Sequence, residues 1–292
     1  MKISCTPISF QKTFKAGQIT WEQFFEVLAD NHCDGVDLLD SQCYPWFFRN
    51  YKDEKKTVQK KLAELDLHVA AYACGNNFAK FAPEAHSHAV GAVINAIREA
   101  AEFGAQCLRI FGGHHESSGG EPGMTYAPGL KLVVRGIESC IKEAEKNNVV
   151  LALENHGRLP GLSDEMLTIV KHFDSPFVRI NFDVSNFQPG IRGESEDPLD
   201  AYEKLKPYIV HCHVKDLALE LRDGLIYRMP AVAGEGGLVP LRRFAYALER
   251  DGYNGYCSLE YEAATPEMTG VSKSLAYLDE LKAAAKLIAG GF

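Results

Sequence analysis

Two spacings of hydrophobic residues alternate along the chain. Short apolar runs over residues 1–5, 35–38, 67–72, 107–111, 149–154, 178–183, 209–213 and 255–260 read as buried strands. Between them, apolar residues recur every three or four positions, which places them on one face of a helix. The first such stretch runs from Thr20 to Asn31, with Trp21, Phe24, Phe25, Val27 and Leu28 on its face and Thr20 as N-cap. Further helices are predicted over residues 55–65, 90–103, 130–147, 163–172, 198–205, 240–250 and 272–288. Gly104 is placed to stop one of them in the left-handed conformation. Pro198 sits in a first turn, where no N–H is needed. Strict strand–helix alternation predicts an α/β fold with a parallel sheet. Eight such units in this length predict a closed (β/α)8 barrel, a single domain over residues 1–292. An open doubly wound sheet is the alternative. No glycine-rich dinucleotide or phosphate-loop fingerprint follows any strand, which counts against it.

The predicted irregular pieces, residues 40–53, 112–129, 188–197 and 217–239, all follow the C-terminal end of a strand. Barrel enzymes keep their active sites on that face. Side-chain phase gives the face its chemistry, because alternate residues of a strand share a side. Ile209, His211 and His213 share one side, opposite Val210, Cys212 and Val214. Likewise Glu154 shares a side with Ala152 and Val150, Asp183 with Asn181, and Glu260 with Ser258 and Tyr256. Glu154, Asp183, His213 and Glu260 are therefore candidate metal ligands at the top of the lumen. Asn181, His211 and Ser258, one layer below, are candidates to hold them by hydrogen bonds. Taken singly, an acid ending a strand reads as a helix cap or loop ion pair, and an inward histidine as a core residue. Four in phase on successive strands point to an ion, because crowded carboxylates repel without one. Mostly oxygen donors with one imidazole suit a divalent ion, Mn2+ first, with Mg2+, Co2+ or Zn2+ as alternatives. Cys212 and Cys257 fall on the outward phase and are not counted.

Composition narrows the partners. The chain has 292 residues, 46% of them apolar, ample for a core, and a formal net charge of −8. With no long run of Lys or Arg, nucleic acid and anionic membrane surfaces are not expected as partners. The eight cysteines are scattered without a CxxC pair, which predicts a reducing compartment. Met1-Lys2-Ile3-Ser4-Cys5 leads straight into a strand with no apolar signal core, and no run is long enough to span a bilayer. A cytoplasmic location is the expectation.

Leu153-Glu154-Asn155-His156, Phe182-Asp183-Val184-Ser185-Asn186, His211-Cys212-His213-Val214-Lys215-Asp216, Gly234-Glu235-Gly236 and Ser258-Leu259-Glu260 lie in that order along the chain. In these motifs the chain resembles the xylose-isomerase-like TIM-barrel superfamily, the sugar isomerase and epimerase branch that includes tagatose/psicose 3-epimerases and hydroxypyruvate isomerase. The resemblance implies metal ligands at Glu154, Asp183, His213 and Glu260. It implies that Glu154 and Glu260 face each other across a sugar or keto-sugar as acid and base, with proton transfer through a metal-stabilised enediolate. A homodimer or homotetramer is the family habit. In the ketohexose 3-epimerases a histidine stands where this chain has Asn186, and an arginine where it has Leu219. Those departures point toward other branches, among them the inosose dehydratases.

Asn186, Lys215 and His156 are the expected substrate contacts. For Lys215 an ion pair with Asp216 or a neighbouring loop is the alternative, and for His156 a plain surface histidine. His114-His115-Glu116 reads as a solvated loop. Trp46, Phe47 and Phe48 read as a packed loop anchor, with a sugar-ring wall or a dimer contact as alternatives. The leading function is a metal-dependent isomerase or epimerase. The second is a lyase on the same enediolate, removing water from an inosose or dehydroshikimate or cleaving a keto-glycoside. The third is a non-catalytic sugar-binding barrel. An endonuclease IV activity is not expected, since it needs a histidine-rich trinuclear site and a basic face.

Overall fold

In the computed structural model, residues 1–48, 50–187 and 196–290 are described below. Most of the predicted loop 188–197 lies outside them. The strands are β1 (Lys2–Cys5), β2 (Gly35–Leu39), β3 (His68–Ala73), β4 (Cys107–Phe111), β5 (Val150–Glu154), β6 (Val178–Asp183) and β7 (Ile209–Val214), then a hairpin of β8 (Asp216–Arg222) and β9 (Leu225–Ala231), and last β10 (Tyr256–Leu259). The main sheet holds eight of them in the order β1-β10-β7-β6-β5-β4-β3-β2. They are parallel strands with helices between, a nearly closed (β/α)8 barrel. That is the predicted fold class, and the predicted strands stand within about a residue of their observed ends.

The helices are α1 (Gln11–Lys15), α2 (Trp21–Asp30), α3 (Tyr51–Glu64), α4 (Pro83–Glu102), α5 (Tyr126–Asn147), α6 (Ser163–Phe173), α7 (Pro198–Leu205), α8 (Leu241–Arg250) and α9 (Glu267–Ala289). Thr20 caps α2 as expected, and with Gln23 it forms a reciprocal capping box. Gly104 follows α4 at φ +74°. Helix starts were the weakest expectation. α4 begins at Pro83, ahead of the predicted residue 90, because its first turns bury His86 and Ala89 rather than large apolar side chains. The His86 ring is held by the Phe78 carbonyl at 2.8 Å. α9 begins at Glu267, ahead of the predicted residue 272. The Glu267 carboxylate there accepts the Lys12 and Thr13 backbone N–H groups at 3.1 and 2.9 Å.

By internal contacts the chain falls into two compact units. One comprises Met1–Asp37, Trp46–Ala70 and Cys212–Phe292. Within it Ser4, Ser258 and His213 are register partners across β1, β10 and β7, so one level of three strands carries polar side chains. Phe10, Phe14, Phe24 and Phe47 pack edge to face, with ring centroids 5.4–6.3 Å apart. Phe47 and Phe48 are buried, and Trp46 lies against Phe14 at 5.6 Å. The aromatic loop is a packed anchor.

The other unit comprises Leu38–Pro45 and Ala71–His211. Here Arg109, Ala152 and Arg179 are register partners across β4, β5 and β6, and Phe111 pairs with Glu154, which pairs with Asn181. Small side chains, Ala71, Cys107 and Ala152, form a cluster beneath Arg109 and Glu154 in the same strand phase. Such small inward groups leave room for long polar ones above them.

Residues 217–239, predicted irregular, instead form the β8–β9 hairpin and the loop after it. Asp223 and Gly224 turn the hairpin at φ +50° and +76°, the positive pair a tight two-residue turn demands.

Candidate metal centre

Glu154 ends β5 and Asp183 ends β6, both buried. Their carboxylates are held from several directions. Asn181 Nδ2 donates to Glu154 Oε2 at 3.2 Å, and Arg109 Nε lies 3.3 Å from the same oxygen. Asp183 Oδ1 accepts the Ser185 backbone N–H at 2.8 Å and that of Asn186 at 3.3 Å. Asn186 Nδ2 reaches Asp183 Oδ2 at 2.9 Å and Glu154 Oε1 at 3.4 Å. Asn155, next after β5, donates its amide to Asp183 O and accepts the Asp183 N–H, each at 2.9 Å. That side chain substitutes for a strand partner and fixes where the Asp183 backbone ends. His211 is fully buried on β7.

In the other unit, His213 is buried on β7, and its Nε2 lies 3.4 Å from Asp37 Oδ2. Ser4 Oγ donates to Asp37 Oδ1 at 3.2 Å. Glu260, one residue past β10, accepts from Lys215 Nζ at 2.6 Å. Lys215 is also 3.6 Å from Glu262. Of the two ion pairs open to it, the lysine makes the one with a neighbouring loop, at Glu260 and Glu262, and not the one with Asp216. Asp216 is a loop clamp instead, accepting N–H groups from Leu217, Gly234, Gly237 and Val239 at 2.8–3.3 Å. Ser258 Oγ is buried and makes no hydrogen bond among the described residues, so the bond expected from it is not formed.

In one unit the Asn186 amide touches both Glu154 and Asp183; in the other, His213 faces Asp37. The four residues expected from strand phase divide between the two units. Carboxylates with an imidazole fit a hard or borderline divalent cation, and the Glu154 and Asp183 oxygens are held by amides as metal carboxylates are. His156, half-buried, stacks on Phe111 with centroids 4.4 Å apart and meets the His114 ring edge at 5.6 Å. His114 is thus part of a ring stack rather than a solvated loop residue. His115 caps the short turn at Glu116–Ser118. A cavity of about 210 Å³ opens beside Asn186, lined also by Asn155, His115, Tyr126, Arg158 and Glu165.

Arg109, Asp37 and Asn155 were not singled out in the sequence. Arg109 and Asp37 each interrupt an apolar run, Cys107-Leu108-Arg109-Ile110-Phe111 and Gly35-Val36-Asp37-Leu38. The phase argument made for β5, β6, β7 and β10 applies equally to β2 and β4. Asn155 carries no such signal, because it lies past the strand end.

The strand order, with helices between parallel strands and buried acids at the strand ends, defines a (β/α)8 barrel of the TIM type. The sequence matches the xylose isomerase-like TIM barrel family over residues 14–281, and the chain belongs to that family. No curated protein matches it by sequence. Among solved structures it is similar to D-psicose 3-epimerase from Clostridium cellulolyticum H10, crystallised with D-tagatose, at 14% identity and TM-score 0.72, covering 98% of this chain and 100% of that one. It is similar to the IOLI protein with a bound zinc atom, at 14% identity and TM-score 0.77, over 98% and 99% of the two chains. It is also similar to AsbF from Bacillus anthracis, the probable 3-DHS dehydratase of petrobactin synthesis, at 18% identity and TM-score 0.70, over 96% and 99%. At these identities the likeness is one of fold. No helix among the described residues is long and apolar enough to cross a membrane.

Proposed function

We propose that this protein is a divalent-metal-dependent isomerase or epimerase of a sugar or keto-sugar, with Glu154 and Glu260 as the proton-transferring pair. The observation that carries the reading is the pair of buried strand-end carboxylates Glu154 and Asp183, bridged by the Asn186 amide in a chain of the xylose isomerase-like family; His213 and Glu260 complete the proposed ligand set. When bound, the ion polarises adjacent carbonyl and hydroxyl oxygens of the substrate and acidifies the C–H between them. Mn2+ suits this donor set, with Mg2+, Co2+ or Zn2+ as alternatives.

The rest of the chemistry falls to the chain. One glutamate removes the proton through an oxygen not engaged with the cation, and the other returns one to the opposite face or the neighbouring carbon. Arg109 places positive charge against the Glu154 carboxylate, its Nε 3.3 Å from Oε2. Lys215, donating to Glu260 Oε2, sits where it can pass that bond to a substrate oxygen. Asn186 touches both Glu154 and Asp183 and lines the 210 Å³ cavity, which makes it a substrate contact. His156 is assigned the same role from its place after Glu154.

Glu154→Gln and Glu260→Gln test the roles. Each keeps size and hydrogen bonding but removes the base. Turnover is expected to fall at least about 1000-fold in each, since general acid–base groups contribute about 100- to 10,000-fold singly. Unfolding transitions should stay within about 1 kcal/mol of the parent. Solvent deuterium should enter the recovered sugar in the parent and in neither variant. Full exchange in either variant overturns the assignment. Release of an unsaturated product without wash-in would instead give the site to the lyase reading, which the dehydratase among the similar folds keeps open.

A further inference from the structure

Beyond that centre, three side chains follow the ends of β2 and β3 in one unit of the fold. Asp40, Cys43 and Cys74 each bring one donor atom, a carboxylate oxygen and two sulfurs, within 4.8 Å of the others. Asp40 and Cys74 are fully buried, and Cys43 is half-buried. None of the three takes part in the proposed reaction.

The cluster is built, not incidental. Asp40 Oδ1 accepts backbone N–H groups from Cys43 at 2.8 Å and Gln42 at 3.1 Å. Its Oδ2 takes only a long contact, 3.3 Å, from the Gly75 N–H, which leaves a lone pair for another partner. The loop packs so tightly that a Cβ on Gly75 would lie 2.9 Å from Cys43 Cβ, which fixes Cys43 beside Cys74. A hydrogen bond from the Cys74 thiol to Cys43, and then burial, push that thiol well above its ordinary value, while the Arg109 charge pulls it down. Arg109 Nη1 donates to the Cys74 carbonyl at 2.9 Å. Burial of a small thiol among apolar groups explains Cys74 alone. It does not explain a half-exposed second thiol and a fully buried carboxylate converging on it.

We propose that Asp40, Cys43 and Cys74 form a second cation site, selective for a thiophilic divalent ion of the zinc class. Two sulfurs and one carboxylate match that ion's preference, and three protein donors leave one of its four positions open. Binding releases the two thiol protons to solvent, so the site gains affinity as pH rises. Three anionic donors and a divalent ion leave one negative charge beside the Arg109 guanidinium, which also faces Glu154. Hard ions such as Mn2+ and Mg2+ have no reason to choose it. Occupied, it ties the loop after β2 to the end of β3.

Cadmium alone is the probe, added to the full-length protein under a non-thiol reductant. One equivalent is expected to raise the ultraviolet charge-transfer band that marks cadmium–thiolate bonds. The band should vanish in Cys43→Ser and in Cys74→Ser, and persist in Asp183→Asn, which disables only the other centre. Iodoacetamide labelling of Cys43, read by peptide mass, should be suppressed by zinc and restored by chelator in the parent. Zinc should give no suppression in Asp40→Ala, which keeps both thiols should a serine variant fail to fold. Absence of the band, its survival in both serine variants, or equal labelling of Cys43 with and without zinc overturns the proposal.

Discussion

Asn155 shows how much one side chain fixes at the candidate centre. Its amide makes both hydrogen bonds that a neighbouring strand would have made to Asp183, so the aspartate leaves β6 at a defined point. The Asp183 carboxylate is then received by the N–H groups of Ser185 and Asn186, a turn that follows only if the backbone enters it correctly. Asn155→Ala strips both bonds and leaves a buried N–H and C=O of Asp183 without them. Destabilisation of about 2 kcal/mol or more is expected, because buried polar groups left unmade cost about 1–3 kcal/mol each. Denaturant unfolding measures it. If Asp183 is a ligand, metal affinity should fall as well, by about 10- to 100-fold, the usual effect of losing a group that orients a ligand. A variant that unfolds normally and binds the ion normally would remove Asn155 from any part in the site.

At the scale of elements, the loop over the hairpin is organised by Asp216. Its carboxylate collects four N–H groups, from Leu217 and from the Gly234–Val239 stretch, while Leu238 N–H returns to the Leu217 carbonyl at 3.1 Å. Gly236 packs so close to that carbonyl that a Cβ would sit 2.4 Å from it, and Gly234 stands at φ +88°. The Gly234-Glu235-Gly236 motif is thereby explained by backbone approach. Asp216→Ala is expected to destabilise the protein by about 3 kcal/mol, on the scale of hydrogen bonds to a charged group, and to open residues 232–239 to hydrogen exchange. Unchanged exchange there would show that the hairpin holds without the clamp. The hairpin itself was legible and was passed over. Asp223-Gly224 between two alternating runs is a strong short-range hairpin signal, one that a strict β/α alternation has no place for. The strands were read well because burial in a parallel sheet writes near-continuous apolar runs. The start of α4 was missed because small and polar side chains carry its first turns. Of the proposed ligands, Glu154, Asp183, His213 and Glu260 follow from phase, and all four are buried. Arg109 and Asp37 carry the same signature on β4 and β2. For Lys215 the alternative of an ion pair with a neighbouring loop is realised at Glu260, forty-five residues away, a partner that local sequence cannot name.

For the whole molecule, the two proposed cation sites differ in hardness, so stability is expected to depend on which ion is supplied. The chain carries a formal charge of −8, and several of its acids are buried at strand ends. Arg109 lies against Glu154 and Lys215 against Glu260, while Asp183 accepts the Ser185 backbone N–H and the Asn186 amide. An ion that binds the folded chain and not the unfolded one stabilises by mass action, about 4 kcal/mol at a thousandfold excess over its Kd. In a chain of this size each kcal/mol moves Tm by about 2–4 °C, so Mn2+ added to chelator-treated protein should raise Tm by about 10 °C. Manganese seeks oxygen and imidazole, so Asp183→Asn should abolish that shift and Cys43→Ser should leave it whole. Zinc, which accepts both donor sets, should keep part of its stabilisation in either single variant and lose it only when both are combined. Differential scanning calorimetry across those four proteins with the two ions separates the sites without reference to any substrate. A manganese shift that survives Asp183→Asn would mean that the carboxylate–imidazole group is not where the ion binds.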